Sequence, residues 1–189
     1  MRYSQLTYKE VSSPTISTRI LSITPTHTIS PDVSDWKTYN NTKYKFSIQY
    51  PSTYNSKLIP NDEGINLEKD IKRCVNCGYA GGTEVEKGIM LGFGVMPGNF
   101  EMSEDGLKKY LKLNKSTDLS AKTINVGGTK GIEIISNPET GISPRTVYLN
   151  IGKNCLVISL TLGYSPTKQE LENYLLEYDQ ILASVVFLN

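Results

Sequence analysis

Three times in this chain an apolar/polar alternating run meets a turn signal and is answered by a second such run. "WKTY" and "KYKFSIQY" flank Asn40-Asn41-Thr42, "AKTIN" and "TKGIEIIS" flank Gly127-Gly128, and "RTVYLN" and "CLVISLTL" flank residues 150–154. Asn and Gly tolerate the positive φ that tight hairpins require, so each block reads as two antiparallel strands joined by a short turn. In the first block Tyr44, Phe46, Ile48 and Tyr50 alternate with Lys45, Ser47 and Gln49, and Pro51 ends the run. Period-two alternation places those rings on one face of a strand, where they either fill a core or line a binding platform. Core packing is the expectation, because a half-buried strand against a helix is the common cause of this pattern.

One amphipathic segment lies between the hairpins and a second follows the last of them. "SEDGLKKYLKLN" begins with a capping Ser103 and two acidic residues, and its stripe is Leu107, Tyr110 and Leu111. "TKQELENYLLEYDQIL" begins with Thr167 and Glu170 at capping-box spacing, and Leu171, Tyr174, Leu175, Tyr178 and Leu182 fall on one side. "GIMLGFGVMP" suits a buried strand, and "SVVFLN" a short final one. Serial hairpins with one interrupting helix and one near the end define an α+β chain with a mostly antiparallel sheet.

That strand set starts at Trp36. Residues 11–35 are rich in Ser, Thr and Pro and contain no aromatic residue until Trp36. A segment of this kind cannot bury enough apolar surface to offset its ordering entropy. Two domains of behaviour are therefore expected: a disordered Ser/Thr/Pro-rich linker over 1–35 and a folded domain over 36–189. A spacer of that composition suits a domain held away from a membrane anchor, and Met1 as a genuine start would instead leave the chain cytoplasmic.

The residues of the first hairpin and of the C-terminal helix also carry a resemblance. Tyr44, Phe46, Ser47, Tyr50 and Pro51 form a "Y-x-F-S-x-x-Y-P" strand that resembles the opening of PsbP-like domains. "YLLEYDQILASVVF" is similar to their closing helix and strand. The resemblance implies an α-β-α sandwich around a central, mostly antiparallel sheet. It also implies a non-enzymatic binding or assembly module, since the family includes extrinsic photosystem subunits, bacterial lipoproteins and a Ran-binding protein. On that reading the domain is monomeric, works with an unidentified protein partner, needs no cofactor, and stands at the outer face of the cytoplasmic membrane. No functional residue is carried over from the family.

Chemistry-bearing residues are sparse. The one histidine, His27, falls in the linker, which removes Ser-His-Asp, Cys-His and histidine-rich metal arrangements from residues 36–189. The carboxylates Asp62, Glu63, Glu84, Glu86, Glu101, Glu104, Asp105 and Glu133 are scattered and read as solvated surface. "GFGVMPG" misses the dinucleotide-loop spacing by one residue. A formal net charge of +1 gives no long-range field for nucleic acid. The sharpest motif is "RCVNCG", where Cys74 and Cys77 have C-x-x-C spacing beside Lys72 and Arg73. A small disulfide, half of a zinc site, and a redox-active thiol pair are the readings it allows. The last two make a thiol-dependent redox or metal-binding protein the alternative function. Cys155, inside an apolar run, reads as core.

Overall fold

The computed structural model describes residues 34–74, 84–101, 106, 119–136, 145–163 and 166–188. They form a mixed α+β fold dominated by a large antiparallel sheet, with one α-helix described along its whole length. The strands are β1 (Trp36–Asn41), β2 (Phe46–Pro51), β3 (Asn55–Ile59), β4 (Gly64–Cys74), β5 (Glu84–Pro97), β6 (Leu119–Val126), β7 (Thr129–Ser136), β8 (Arg145–Ile151) and β9 (Asn154–Leu162). Helix α1 (Lys168–Ala183) and the short β10 (Val186–Phe187) follow. The large sheet has seven strands in the order β3-β4-β5-β9-β8-β7-β6, and β1-β2-β10 make a second, three-stranded sheet. All pairings are antiparallel.

The expected hairpins are present with the turn chemistry their residues demand. Val126 pairs with Thr129 across Gly127-Gly128, whose φ values of +55° and +80° are the two consecutive positive angles of a two-residue hairpin loop. Ile151 pairs with Asn154 across Gly152 at φ +67° and Lys153. The first hairpin differs from expectation. β1 runs through Asn41, which pairs with Phe46, and the turn occupies Thr42–Lys45. Tyr44 therefore sits in the turn and the alternating strand starts at Phe46. The cause is Asn41, only 2% exposed: its Oδ1 accepts from the Tyr44 N–H at 2.9 Å, and its Nδ2 donates to the Tyr39 hydroxyl at 2.9 Å and to the Asp62 carbonyl at 2.7 Å.

Helix α1 starts where the capping box places it. The Thr167 side chain accepts from the Glu170 N–H, and the Glu170 carboxylate accepts from the Thr167 N–H at 2.9 Å. Tyr174, Tyr178 and Ile181 are its buried residues, while Leu171, Leu175 and Leu182 are half-buried beside them. They meet Phe46, Ile48 and Tyr50 of β2 and alternate residues of the large sheet: Leu67, Leu91, Val147, Leu149, Leu156 and Ile158. Each such large side chain contributes roughly 1.5–3 kcal/mol on burial. Ser184 closes the helix onto β2, since its hydroxyl donates to the Gln49 carbonyl and accepts from the Gln49 N–H, both at 2.9 Å.

Candidate functional site

The β2 rings are not a platform for a ligand. Phe46 and Ile48 are wholly buried and Tyr50 nearly so, within the cluster sealed by α1. Two charge clusters flank that same helix. On one side Lys69 Nζ meets Glu177 at 2.6 Å, and the Tyr54 hydroxyl donates to Glu177 at 2.8 Å. The Tyr174 hydroxyl points at Asp70 from 3.4 Å. On the other side Glu133, read from sequence as solvated, is 3% exposed. Its carboxylate meets Lys122 Nζ at 2.8 Å and the Arg145 guanidinium at 3.8 Å. Arg145 also reaches Asp179 at 3.5 Å and lies over the Tyr178 ring.

Burial and the adjoining Glu177 push the Tyr54 phenol well above its ordinary range, and burial with Asp70 pushes Tyr174 up to about 12. Burial with Glu133 raises Tyr178 in the same way. Burial also raises Asp179, against the pull of Arg145. The Tyr54 and Tyr174 phenols donate to carboxylates across the α1–sheet seam, whereas the buried Tyr178 hydroxyl makes no hydrogen bond among the described residues. These two clusters fasten α1 to the sheet.

The remaining sequence candidates do not converge. Glu86 pairs with Lys72 at 2.8 Å. Asp62 and Glu63 belong to the turn after β3, where the Asp62 carbonyl serves Asn41 and the Glu63 N–H donates to Pro60. Glu101 is exposed. Glu104 and Asp105 lie outside the described residues. No group of three or more His, Cys, Asp or Glu side chains suited to a metal occurs among the described residues.

The C-x-x-C reading as a thiol or metal motif is corrected. The described cysteines are dispersed: Cys74 ends β4 opposite Glu84, whereas Cys155 is buried in β9 between Asn150 of β8 and Met96 of β5. A thiolate nucleophile needs an electropositive helix N-terminus or a similar setting, and Cys74 stands at a strand end. It is disulfide-bonded and does not titrate, so it supplies no reactive thiol. Cys77 lies outside the described residues. Cys155 is a free thiol whose pKa is raised by burial, as an inert core residue's should be.

The feature that sequence reasoning missed is a cleft of about 460 Å³ where three turns meet at one end of the domain. Lys43, Tyr44 and Lys45 enter from the β1–β2 turn, Gly152 and Asn154 from the β8–β9 turn, and Thr129 from the start of β7. Phe187 and Leu188 close it after β10, where the Leu188 N–H donates to the Lys45 carbonyl at 2.8 Å. Lys43 Nζ donates to the Asn61 carbonyl at 2.9 Å and lies 4.9 Å from the Tyr44 ring centre. Among the described residues no carboxylate lines this cleft. Its residues come from distant parts of the chain, so no linear motif announces it.

No protein-family profile and no curated protein matches the sequence. Among solved structures, the chain is similar to the solution structure of cyanobacterial PsbP from Synechocystis, at 9% identity and a TM-score of 0.49, over 84% of this chain and 95% of that one. A crystal structure from Bacteroides thetaiotaomicron matches at 14% identity and TM-score 0.46, over 82% of this chain and 49% of that one. The Saccharomyces cerevisiae Ran-binding protein Mog1p matches at 10% and 0.46, over 82% and 96%. These are broad structural likenesses only; they assign neither a family nor a function.

Proposed function

We propose that this chain is a non-enzymatic binding or assembly module: a PsbP-like α-β-α sandwich, monomeric, tethered at the outer face of the cytoplasmic membrane with residues 11–35 as its spacer. The observation that carries the binding reading is the cleft formed by the three turns on rigid hairpins, the usual placement for a recognition site. The sandwich reading is supported by Ile132 and Ile134, which are 3% and 4% exposed yet stand outside the cluster that α1 seals. A dry second face needs a second cover, and the stripe Leu107, Tyr110 and Leu111 in sequence is suited to that role. The location rests on the Ser/Thr/Pro-rich composition of residues 11–35 and on the family resemblance of the first and last strands.

A photo-crosslinking residue at position 154, inside the cleft, tests the binding role in living cells, with position 58 on the outer strand β3 as control. A discrete adduct from position 154 alone is the expected result; no adduct, or equal adducts from both, overturns it. A membrane-impermeant label directed to position 58 should react on intact cells with a permeable outer envelope. Reaction only after lysis would remove the extracytoplasmic placement.

A further inference from the structure

We propose that the cleft takes a carboxylate-rich peptide segment of a partner protein, an inference that rests on reading the cleft as the binding site. The charge distribution is the starting point. Away from the cleft, every described lysine and arginine except Lys37 and Lys130 stands in an ion pair: Lys57, Lys69, Lys72, Arg73, Lys87, Lys122, Arg145 and Lys168. Lys43 and Lys45 in the cleft wall, and Lys153 between the lining residues Gly152 and Asn154, pair with no carboxylate among the described residues. Among the described residues, the two lysines of the cleft lining, Lys43 and Lys45, thus carry charges that no carboxylate offsets.

The lining and its charge choose among anionic partners. Beside Lys43 and Lys45 the lining includes Tyr44, Ile151, Phe187 and Leu188, the last 41% exposed. Apolar and aromatic surface next to lysines matches a segment that mixes carboxylates with aliphatic or aromatic side chains. Nucleic acid would call for a basic surface extending along its backbone, and the chain's net charge is only +1. The walls are set before binding: Asn41 pins the 42–45 turn and the Leu188 N–H ties the last strand to Lys45. Little ordering entropy is then left for the protein side to lose.

The test is fluorescence anisotropy of the full chain with a labelled peptide of alternating Glu and Leu. We expect saturable binding that weakens as salt rises from about 25 to about 300 mM, as screened charges require. Lys43→Glu with Lys45→Glu should lower affinity at least about tenfold, whereas Lys168→Glu, at the start of α1, should leave it unchanged. Thermal melting confirms that the variants fold; should the double variant fail, Lys45→Gln with Lys153→Gln carries the comparison. Equal binding of the Gln-for-Glu peptide, retention of affinity in the folded variants, or preferential binding of oligouridylate or phosphatidylserine vesicles overturns the proposal. A cross-link at position 154 without acidic-peptide binding would sink this inference and leave the binding-module reading standing. Loss of both would remove both.

Discussion

Asn41→Ala is the most discriminating perturbation of the end of the domain that holds the cleft. Three hydrogen bonds disappear at once, to the Tyr44 N–H, the Tyr39 hydroxyl and the Asp62 carbonyl. A neutral hydrogen bond contributes a net ~0.5–1.5 kcal/mol, and a partner left dry costs more than one that rehydrates. Tyr39 and Tyr44 are half-exposed and Asp62 is exposed, so the abandoned groups regain water and the cost stays near the middle of the range. The expected loss is about 2–3 kcal/mol. With a urea m-value of about 2 kcal/mol/M, the midpoint should fall by about 1–1.5 M with m unchanged. Asn40→Ala, one residue earlier and exposed, should stay within about 0.5 kcal/mol. Acidic-peptide affinity should fall in Asn41→Ala because Lys43 and Lys45 ride on the released turn. A midpoint shift below about 0.3 M would show that the turn is held by something other than Asn41, and the account of a preset cleft would fail.

Other consequences are open to equally direct checks. Phe46→Ala removes a wholly buried ring and should cost about 3–5 kcal/mol in chemical denaturation; a loss under about 1 kcal/mol would mean that the rings are not core. Thr167→Ala breaks the capping box and should cost about 1 kcal/mol, read as a drop of a few degrees in melting temperature. Burial works against ionisation of Glu68, but Lys57 and Arg73 outweigh it and its pKa is lowered. A depressed carboxylate stabilises the fold above the unfolded-state pKa of roughly 4.3 and loses that contribution as pH falls through the folded value. Glu68→Gln should therefore flatten the acid limb of the stability profile below about pH 5, and an unchanged limb would contradict the assignment.

The local elements were legible because their signals are local. Gly127-Gly128 and the Thr167/Glu170 pair act within a few residues, and both appear where the pattern places them. The β2 alternation likewise reports its burial correctly from Phe46 to Tyr50. What failed depended on neighbours remote in sequence. Glu133 is buried because β6 and β8 bring Lys122 and Arg145 to it, and a lone Glu in "GIEIIS" carries no sign of that. Tyr44 left the strand because Asn41 reaches across to the Asp62 carbonyl. The cysteine motif misled because spacing says nothing about whether a helix end waits beside it. The cleft was invisible for the same reason: its lysines matter only through the absence of carboxylates on strands far along the chain.

The partnership of β2 with β10 has a bearing on how the protein is made. Ser47 and Phe46 find their ladder mates at Val186 and Phe187, so the small sheet joins segments far apart along the chain. The opening hairpin must wait, with one flank unpaired, until residue 188 has emerged. Deleting residues 186–188 would strip a strand from the sheet and a wall from the cleft together, so the fold and its recognition surface are completed by the same segment.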